Sequence, residues 1–237
     1  MKLIHVGLGN WGLDWEKSAL PWVEETVERV AIVDAHEFTL ATAQERLALP
    51  DSTCFTALDD AFAATDAELV LITTPMVAHV PLAVEAMEAG KHVLVEKPFA
   101  GSVREAQRAV DAAERTGRTL MVSQNYRFYP APRTAAKIVA SGMLGARGSV
   151  HIDFRRWAND AEYEMNRHYQ FPHPLLYDMS VHHYDLMRMV LGQEALEVYA
   201  RDTSPSWSKF DEEAEALLIV TFERADPQLS RQLGELR

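Results

Sequence analysis

Short apolar, largely β-branched blocks recur through the first half of the chain, at residues 3–6, 30–33, 69–73, 92–95 and 119–122, with longer stretches of mixed character between them. Blocks of four or five residues are strand-sized and the intervening stretches have helical periodicity, so strand and helix take turns. The clearest helix signal is Ser102-Val103-Arg104-Glu105, a capping box, followed by apolar Val103, Ala106, Val110 and Ala113 and ended by Gly117. Strands that are apolar throughout and joined by helices require a parallel sheet covered on both faces, with right-handed crossovers. The pattern predicts a doubly wound α/β domain over residues 1–123.

The pattern changes near Asn125. Pro130 and Pro132 precede a predicted helix over 133–140, a turn over 141–145 and a strand over 150–155, where Val150, Ile152 and Phe154 alternate with polar positions. Alternation of that kind marks a half-solvated antiparallel strand. Further strands are predicted at 196–201 and 214–222, with a helix over 178–191 ended by Gly192. At Leu217-Leu218-Ile219-Val220 the alternation stops, which predicts a strand covered on both sides. The polar tail at 226–237 is too short to cover it, so a homo-oligomer is expected, its contact built on the strands near 150–154 and 214–222. Residues 124–237 thus read as a second, smaller α+β domain.

Composition narrows the classes. With 237 residues the chain can bury a real core, and 23 Lys plus Arg against 35 Asp plus Glu leaves a net charge of −12. Such a chain is repelled by a phosphate backbone or an anionic membrane, so neither nucleic acid nor membrane is an expected partner. No apolar run approaches the ~20 residues that span a bilayer. Cys54 is the single cysteine, which excludes an internal disulfide and a cysteine-based zinc site, and with the Met1-Lys2 start it points to a cytoplasmic protein.

The candidate chemistry begins at Gly7-Leu8-Gly9-Asn10-Trp11-Gly12, which follows the first strand and opens a helix, as a dinucleotide fingerprint requires. Gly7 makes the tight turn, Gly9 lets the backbone approach a pyrophosphate, and Gly12 lets the helix pack close to the strand with its amides facing the anion. Asp34, 22 residues after Gly12, ends the second strand, where a carboxylate accepts the ribose hydroxyls and repels a 2′-phosphate. No Arg follows it closely, so NAD is favoured over NADP. Ligands of open parallel sheets sit beyond the carboxyl ends of the strands, which draws attention to Thr73-Thr74-Pro75 and Glu96-Lys97-Pro98. Lys97 there reads either as a group reaching a substrate hydroxyl or as a surface cation paired with Glu96. On the 178–191 helix Asp178, His182 and Asp185 share one face. An imidazole beside carboxylates suits proton exchange near neutral pH; a structural His, or a metal site of His182, Asp185 and His183 or His168, uses the same residues, although no recognised ligand spacing is present. His5, His36, His151 and His173 read as scattered residues. Tyr126, Phe128 and Tyr129 read as packing, with Arg127 the functional member.

In this order, Gly7-x-Gly9-x-x-Gly12, Asp34, Thr74-Pro75 with His79, Gly90-Lys91-His92-Val93 leading into Glu96-Lys97-Pro98, Asn125-Tyr126-Arg127 and Asp178-x-x-x-His182-x-x-Asp185 resemble the glucose-fructose oxidoreductase / inositol dehydrogenase / MocA family, over about residues 1–192. The resemblance implies a Rossmann domain, a second domain with an open, mainly antiparallel sheet, and an active site between them. It implies cofactor contacts from Gly7, Gly9, Asn10, Trp11, Gly12, Asp34, Thr74, Pro75, His79, Glu96, Lys97 and Asn125. Lys97 would polarise the reacting oxygen, His182 exchange the proton and Asp178 tune both, with Tyr126 and Arg127 near the substrate. The Lys97-Pro98 bond is often cis in such proteins. The implied activity is NAD-dependent hydride transfer to or from a secondary alcohol or ketone of a sugar, polyol or related molecule; a cofactor-binding sensor without turnover is the alternative. The family's second domain is usually longer than the one here.

Overall fold

The structure, a computed structural model, describes residues 1–145, 149–157, 173–210 and 213–223. The chain divides into two compact units, Met1–Ser123 and Gln124–Arg237.

The first unit alternates β1 (Lys2–Val6), α1 (Asn10–Ser18), β2 (Glu28–Val33), α2 (Glu37–Leu47), β3 (Cys54–Phe55), α3 (Leu58–Ala64), β4 (Leu69–Ile72), α4 (Met76–Glu88), β5 (His92–Val95), α5 (Val103–Thr116) and β6 (Leu120–Val122). All six strands pair in parallel in the order β3-β2-β1-β4-β5-β6. The order reverses between β1 and β4, and in an open sheet that reversal leaves a crevice at the carboxyl ends of the strands. Side-chain alternation divides the core. Ile4, Val6, Ala31, Val33, Val70, Ile72, Val93 and Val95 meet α3, α4 and α5 on one face. Ile32 meets Leu13 of α1 and Leu40 and Ala43 of α2 on the other.

The predicted capping box forms, with a variation. Ser102 Oγ accepts from Glu105 N at 3.2 Å and Gly117 ends α5 at φ +65°, but the Glu105 carboxylate reaches Gly101 N at 3.1 Å. The buried face is also displaced from the predicted one. Ala109 and Ala112 are fully buried whereas Val103 is 86% exposed, because the sheet beneath admits only small side chains close to the helix axis. The two-residue β3 escaped prediction because a strand that short carries no period.

The second unit holds a 3-10 turn over Asn125–Phe128, α6 (Pro130–Ala140), a π-helical turn over Leu175–Met179, α7 (Ser180–Leu191), and an antiparallel pair, β7 (Ala195–Thr203) with β8 (Glu215–Phe222). Three expectations change here. Residues 150–155 form no strand, since no described strand offers them a ladder, and Val150, Ile152 and Phe154 remain partly exposed. The predicted 178–191 helix starts at Ser180, with Asp178 in the π turn before it. Among the described residues β8 is not covered on both sides. Its burial alternates, and Leu217 and Ile219 lie 62% and 58% exposed, because β7 is its only described neighbour and no described layer covers that face. The tail at 226–237 and His168 lie outside the described residues, as do residues 158–172 of the predicted pocket loop at 157–174.

Candidate active site

The turn after β1 shows why its glycines are glycines. Gly7 has φ +93°, and a Cβ there would lie 2.6 Å from Thr74 N. A Cβ on Gly12 would lie 1.9 Å from Gly7 O and 2.9 Å from Thr73 Oγ. The exit of β1, the start of α1 and the end of β4 therefore meet in backbone contact. At Gly9 the finding is opposite, for a Cβ there has nothing within 4 Å. Gly9 is also the N-cap of α1, with no side-chain cap, and the first turn carries no acidic residue. The helix thus turns its positive end toward open space in front of Gly9, with Asn10 and Trp11 exposed beside it.

Asp34 sits just past β2. Its Oδ2 accepts from Leu8 N at 2.8 Å and its Oδ1 from His36 N at 2.9 Å. Each oxygen keeps a further lone pair, so the carboxylate is aimed and still able to accept hydroxyl donors.

At the end of β4, Thr73 is buried, and Thr74 Oγ is a buried hydroxyl that meets no partner among the described residues. Pro75 caps α4 and is exposed. His79 turns inward. Its Nε2 lies 2.7 Å from Thr74 O and its Nδ1 2.9 Å from Pro98 O, so it braces two neighbouring turns. Two carbonyl acceptors and Glu96 favour the charged ring, but burial outweighs them and holds the His79 pKa below its ordinary value.

Beyond β5, Glu96 is 5% exposed. Its Oε1 accepts from Trp15 Nε1 at 2.9 Å and its Oε2 from the Lys97 backbone N–H at 3.0 Å. Lys97 is half-buried, and the Lys97–Pro98 peptide is cis. Trp15 was not legible as a site residue; its only signal was the position three residues after Gly12, on the helix that the fingerprint opens.

The open space at Gly9, the uncapped positive helix end, the oriented Asp34 and the orphan Thr74 hydroxyl fit a dinucleotide. A pyrophosphate would find amide donors and no obstructing Cβ, and a ribose would find the carboxylate.

Two scattered histidines prove to be partnered. His5 is fully buried, with Nδ1 2.7 Å from Glu16 Oε1 and Nε2 2.9 Å from Thr73 Oγ. It faces α1 because β1 alternates, Ile4 and Val6 taking the other face. His173, in the second unit, pairs with Glu213 at 2.9 Å, and together with Asp202 these three place ligand atoms within 4.8 Å of one another. That grouping differs from the His182/Asp185 set considered from sequence, and a hydrogen bond joins two of its three members.

In the second unit His182 is 3% exposed and lies face to face with Tyr126, ring centroids 4.0 Å apart at 9°. Tyr126 also stacks on Tyr129 at 5.3 Å. Phe128 and Tyr129 are 54% and 50% exposed, so the aromatic group is not core. Gln124 Nε2 donates to Val181 O at 3.0 Å, tying the segment before the Asn125–Phe128 turn to α7; Asn125 itself is exposed. Arg127 approaches Asp185 at 3.5 Å, beside a cleft of about 310 Å³ that Arg188 and Glu194 also line. Asp178 is half-buried in the π turn, so its register to His182 differs from the helical i, i+4 relation expected. His183 lies 5.1 Å from Phe154, and burial lowers its pKa.

The family described as "Oxidoreductase family, NAD-binding Rossmann fold" matches residues 1–124, and the GFO/IDH/MocA C-terminal domain matches residues 132–226. The chain is 29% identical over 227 residues to the uncharacterized protein y4oX of Sinorhizobium fredii, covering 93% of this chain and 62% of that one. It is 32% identical over 161 residues to the uncharacterized oxidoreductase YrbE of Bacillus subtilis, covering 67% of this chain and 46% of that one. It therefore spans roughly half to two thirds of the length of these relatives. Among solved structures, scyllo-inositol dehydrogenase from Lactobacillus casei, with NAD(H) and scyllo-inositol bound, superposes with a TM-score of 0.78 at 22% identity, covering 94% of this chain and 66% of that one. The fingerprint turn, the strand-end motifs and the two family matches together make this chain a member of the Gfo/Idh/MocA oxidoreductase family.

Proposed function

We propose that this protein is an NAD-dependent oxidoreductase that moves a hydride between the nicotinamide and a secondary alcohol or ketone of a sugar, polyol or related small molecule. The observation that carries this is the pairing of an unobstructed Gly9 turn with an Asp34 carboxylate held by two backbone amides. A carboxylate so placed favours a ribose hydroxyl over a 2′-phosphate, hence NAD over NADP. Bound NAD supplies the hydride acceptor. Lys97 polarises the reacting oxygen, His182 exchanges the hydroxyl proton, and Asp178 tunes the two; Tyr126 orients the His182 ring by stacking, and Arg127 lies near the substrate. Structures such as the scyllo-inositol dehydrogenase above support the substrate class by analogy.

On the same reading the protein works in the cytoplasm as a homo-oligomer. Leu217, Ile219 and Tyr199 are 56–62% exposed and share one face of the β7–β8 pair, where Tyr199 lies opposite Ile219, and an apolar sheet face of that kind suits a second copy.

The deciding experiment is a screen of the purified protein with NAD against sugars and polyols, followed at the NADH absorbance. Oxidation of a member of this class, faster with NAD than NADP, is the expected result. NADH binding with no turnover on any of the panel would favour a sensor, and absence of NADH binding would overturn the proposal.

A further inference from the structure

Behind the glycine turn lies a network whose hydrogens can be counted. Thr73 Oγ is 2.6 Å from Gly7 O, and two oxygens so close require a hydrogen between them. A carbonyl cannot supply it, so the single Thr73 hydroxyl proton is committed to Gly7, with Val6 O a distant second acceptor at 3.3 Å. Toward His5 Nε2, at 2.9 Å, Thr73 Oγ can then only accept, which makes Nε2 a donor. The other ring nitrogen lies 2.7 Å from Glu16 Oε1, again a distance that needs a proton. Arg29 Nε donates to Glu16 Oε2 at 2.9 Å, so the second carboxylate oxygen is taken up elsewhere. The inventory therefore closes with one hydrogen on His5 Nε2 and one between Nδ1 and Glu16 Oε1, the ring being held between a carboxyl group and a hydroxyl.

The effect is transmitted through one peptide plane. Gly7 C=O and Leu8 N–H belong to the same rigid unit. Its oxygen is pinned by Thr73 and its hydrogen by Asp34 Oδ2 at 2.8 Å. We infer that the buried His5–Glu16 pair is a positioning device for the cofactor site, setting the Gly7–Leu8 peptide plane through Thr73 and thereby both the phosphate-facing turn and the aim of the Asp34 carboxylate. This rests on the NAD reading above for its functional meaning, while the proton inventory stands on geometry alone.

Two variants separate positioning from mere packing. His5→Leu with Glu16→Met removes both members of the pair together, leaving neither a buried unpaired carboxylate nor a cavity. Glu16→Gln keeps the geometry, because the amide N–H₂ can donate to Nδ1 while Nε2–H still reaches Thr73. Nitrogen-15 spectra of histidine-labelled protein should show a hydrogen on His5 Nε2 in both the original chain and Glu16→Gln. NADH titration should give a Kd raised at least tenfold in the double variant, with native circular dichroism, and changed less than threefold in Glu16→Gln. Combined with Asp34→Ala, the double variant should add less than the effect it has alone, since part of that effect runs through the Asp34 carboxylate. A neutral His5 bearing its proton on Nδ1 would overturn the inference, as would an unchanged Kd in the folded double variant or full additivity with Asp34→Ala. If the double variant does not fold, Glu16→Gln and the spectra still decide. Failure of the original protein to bind NADH would count against the dehydrogenase reading and leave the spectroscopic test in force.

Discussion

Gly9 and Gly12 stand three residues apart in one turn, yet the structure assigns their missing side chains to opposite purposes. An alanine methyl at position 12 would sit 1.9 Å from Gly7 O. Ordinary carbon–oxygen contact needs more than 3 Å, so α1 would have to move away from β1 by about 1 Å in the most closely packed part of the unit. Overpacking of that kind costs about 1–3 kcal/mol, which at ~4 °C per kcal/mol for a domain of this size lowers Tm by roughly 4–12 °C. At position 9 the methyl has nothing within 4 Å and the backbone φ of −62° is ordinary, so Gly9→Ala should leave Tm within about 2 °C of the parent. The small loss of N-cap preference is offset by reduced freedom of the unfolded chain. That methyl would project into the space assigned to the pyrophosphate and should weaken NADH binding by tenfold or more. Thermal melts paired with NADH fluorescence titrations read both quantities. Undiminished NADH affinity in Gly9→Ala would show that the open space is not the phosphate site, and a parental Tm in Gly12→Ala would show that the contact of α1 with the turn is not close.

Asp34→Ala should narrow the preference for NADH over NADPH; equal affinities in the original protein would contradict the assignment. With a substrate in hand, Lys97→Ala and His182→Ala should each lower turnover by roughly a hundredfold or more while moving NADH affinity much less, and near-normal turnover in both would remove their assigned roles. Because burial lowers the His79 pKa from its ordinary value near 6.5, the unfolded chain binds the extra proton more readily. The stability from neutral His79 is therefore present above about pH 6.5 and declines as pH falls toward the lower folded value; Tm should fall between pH 7.5 and 5, and less steeply in His79→Gln, a common slope in both arguing against this. Leu217→Glu with Ile219→Glu should shift the sedimentation of an oligomer to that of a monomer, whereas a monomeric original protein would show that this sheet face is not the interface.

The alternating apolar blocks and the glycine spacing were enough to determine the parallel sheet, the fingerprint turn and Asp34 at the end of β2, because each depends on residues near one another in the chain. Strand period, helix caps and the need for a Cβ-free approach are local requirements, and they can be read locally. The second unit was less legible. Val150, Ile152 and Phe154 alternate as a strand should, but a strand exists only where a partner supplies the ladder, and Asp178 left the α-helix for a π turn that spacing could not reveal. What tertiary structure alone decided is the set of contacts made across sequence. His5 reaches Glu16 and Thr73, Trp15 reaches Glu96, and His79 joins the turns after β4 and β5. Hydrogen bonds to partners as far as 81 residues away carry no signature in either partner's neighbourhood; only the packing of the sheet brings them together.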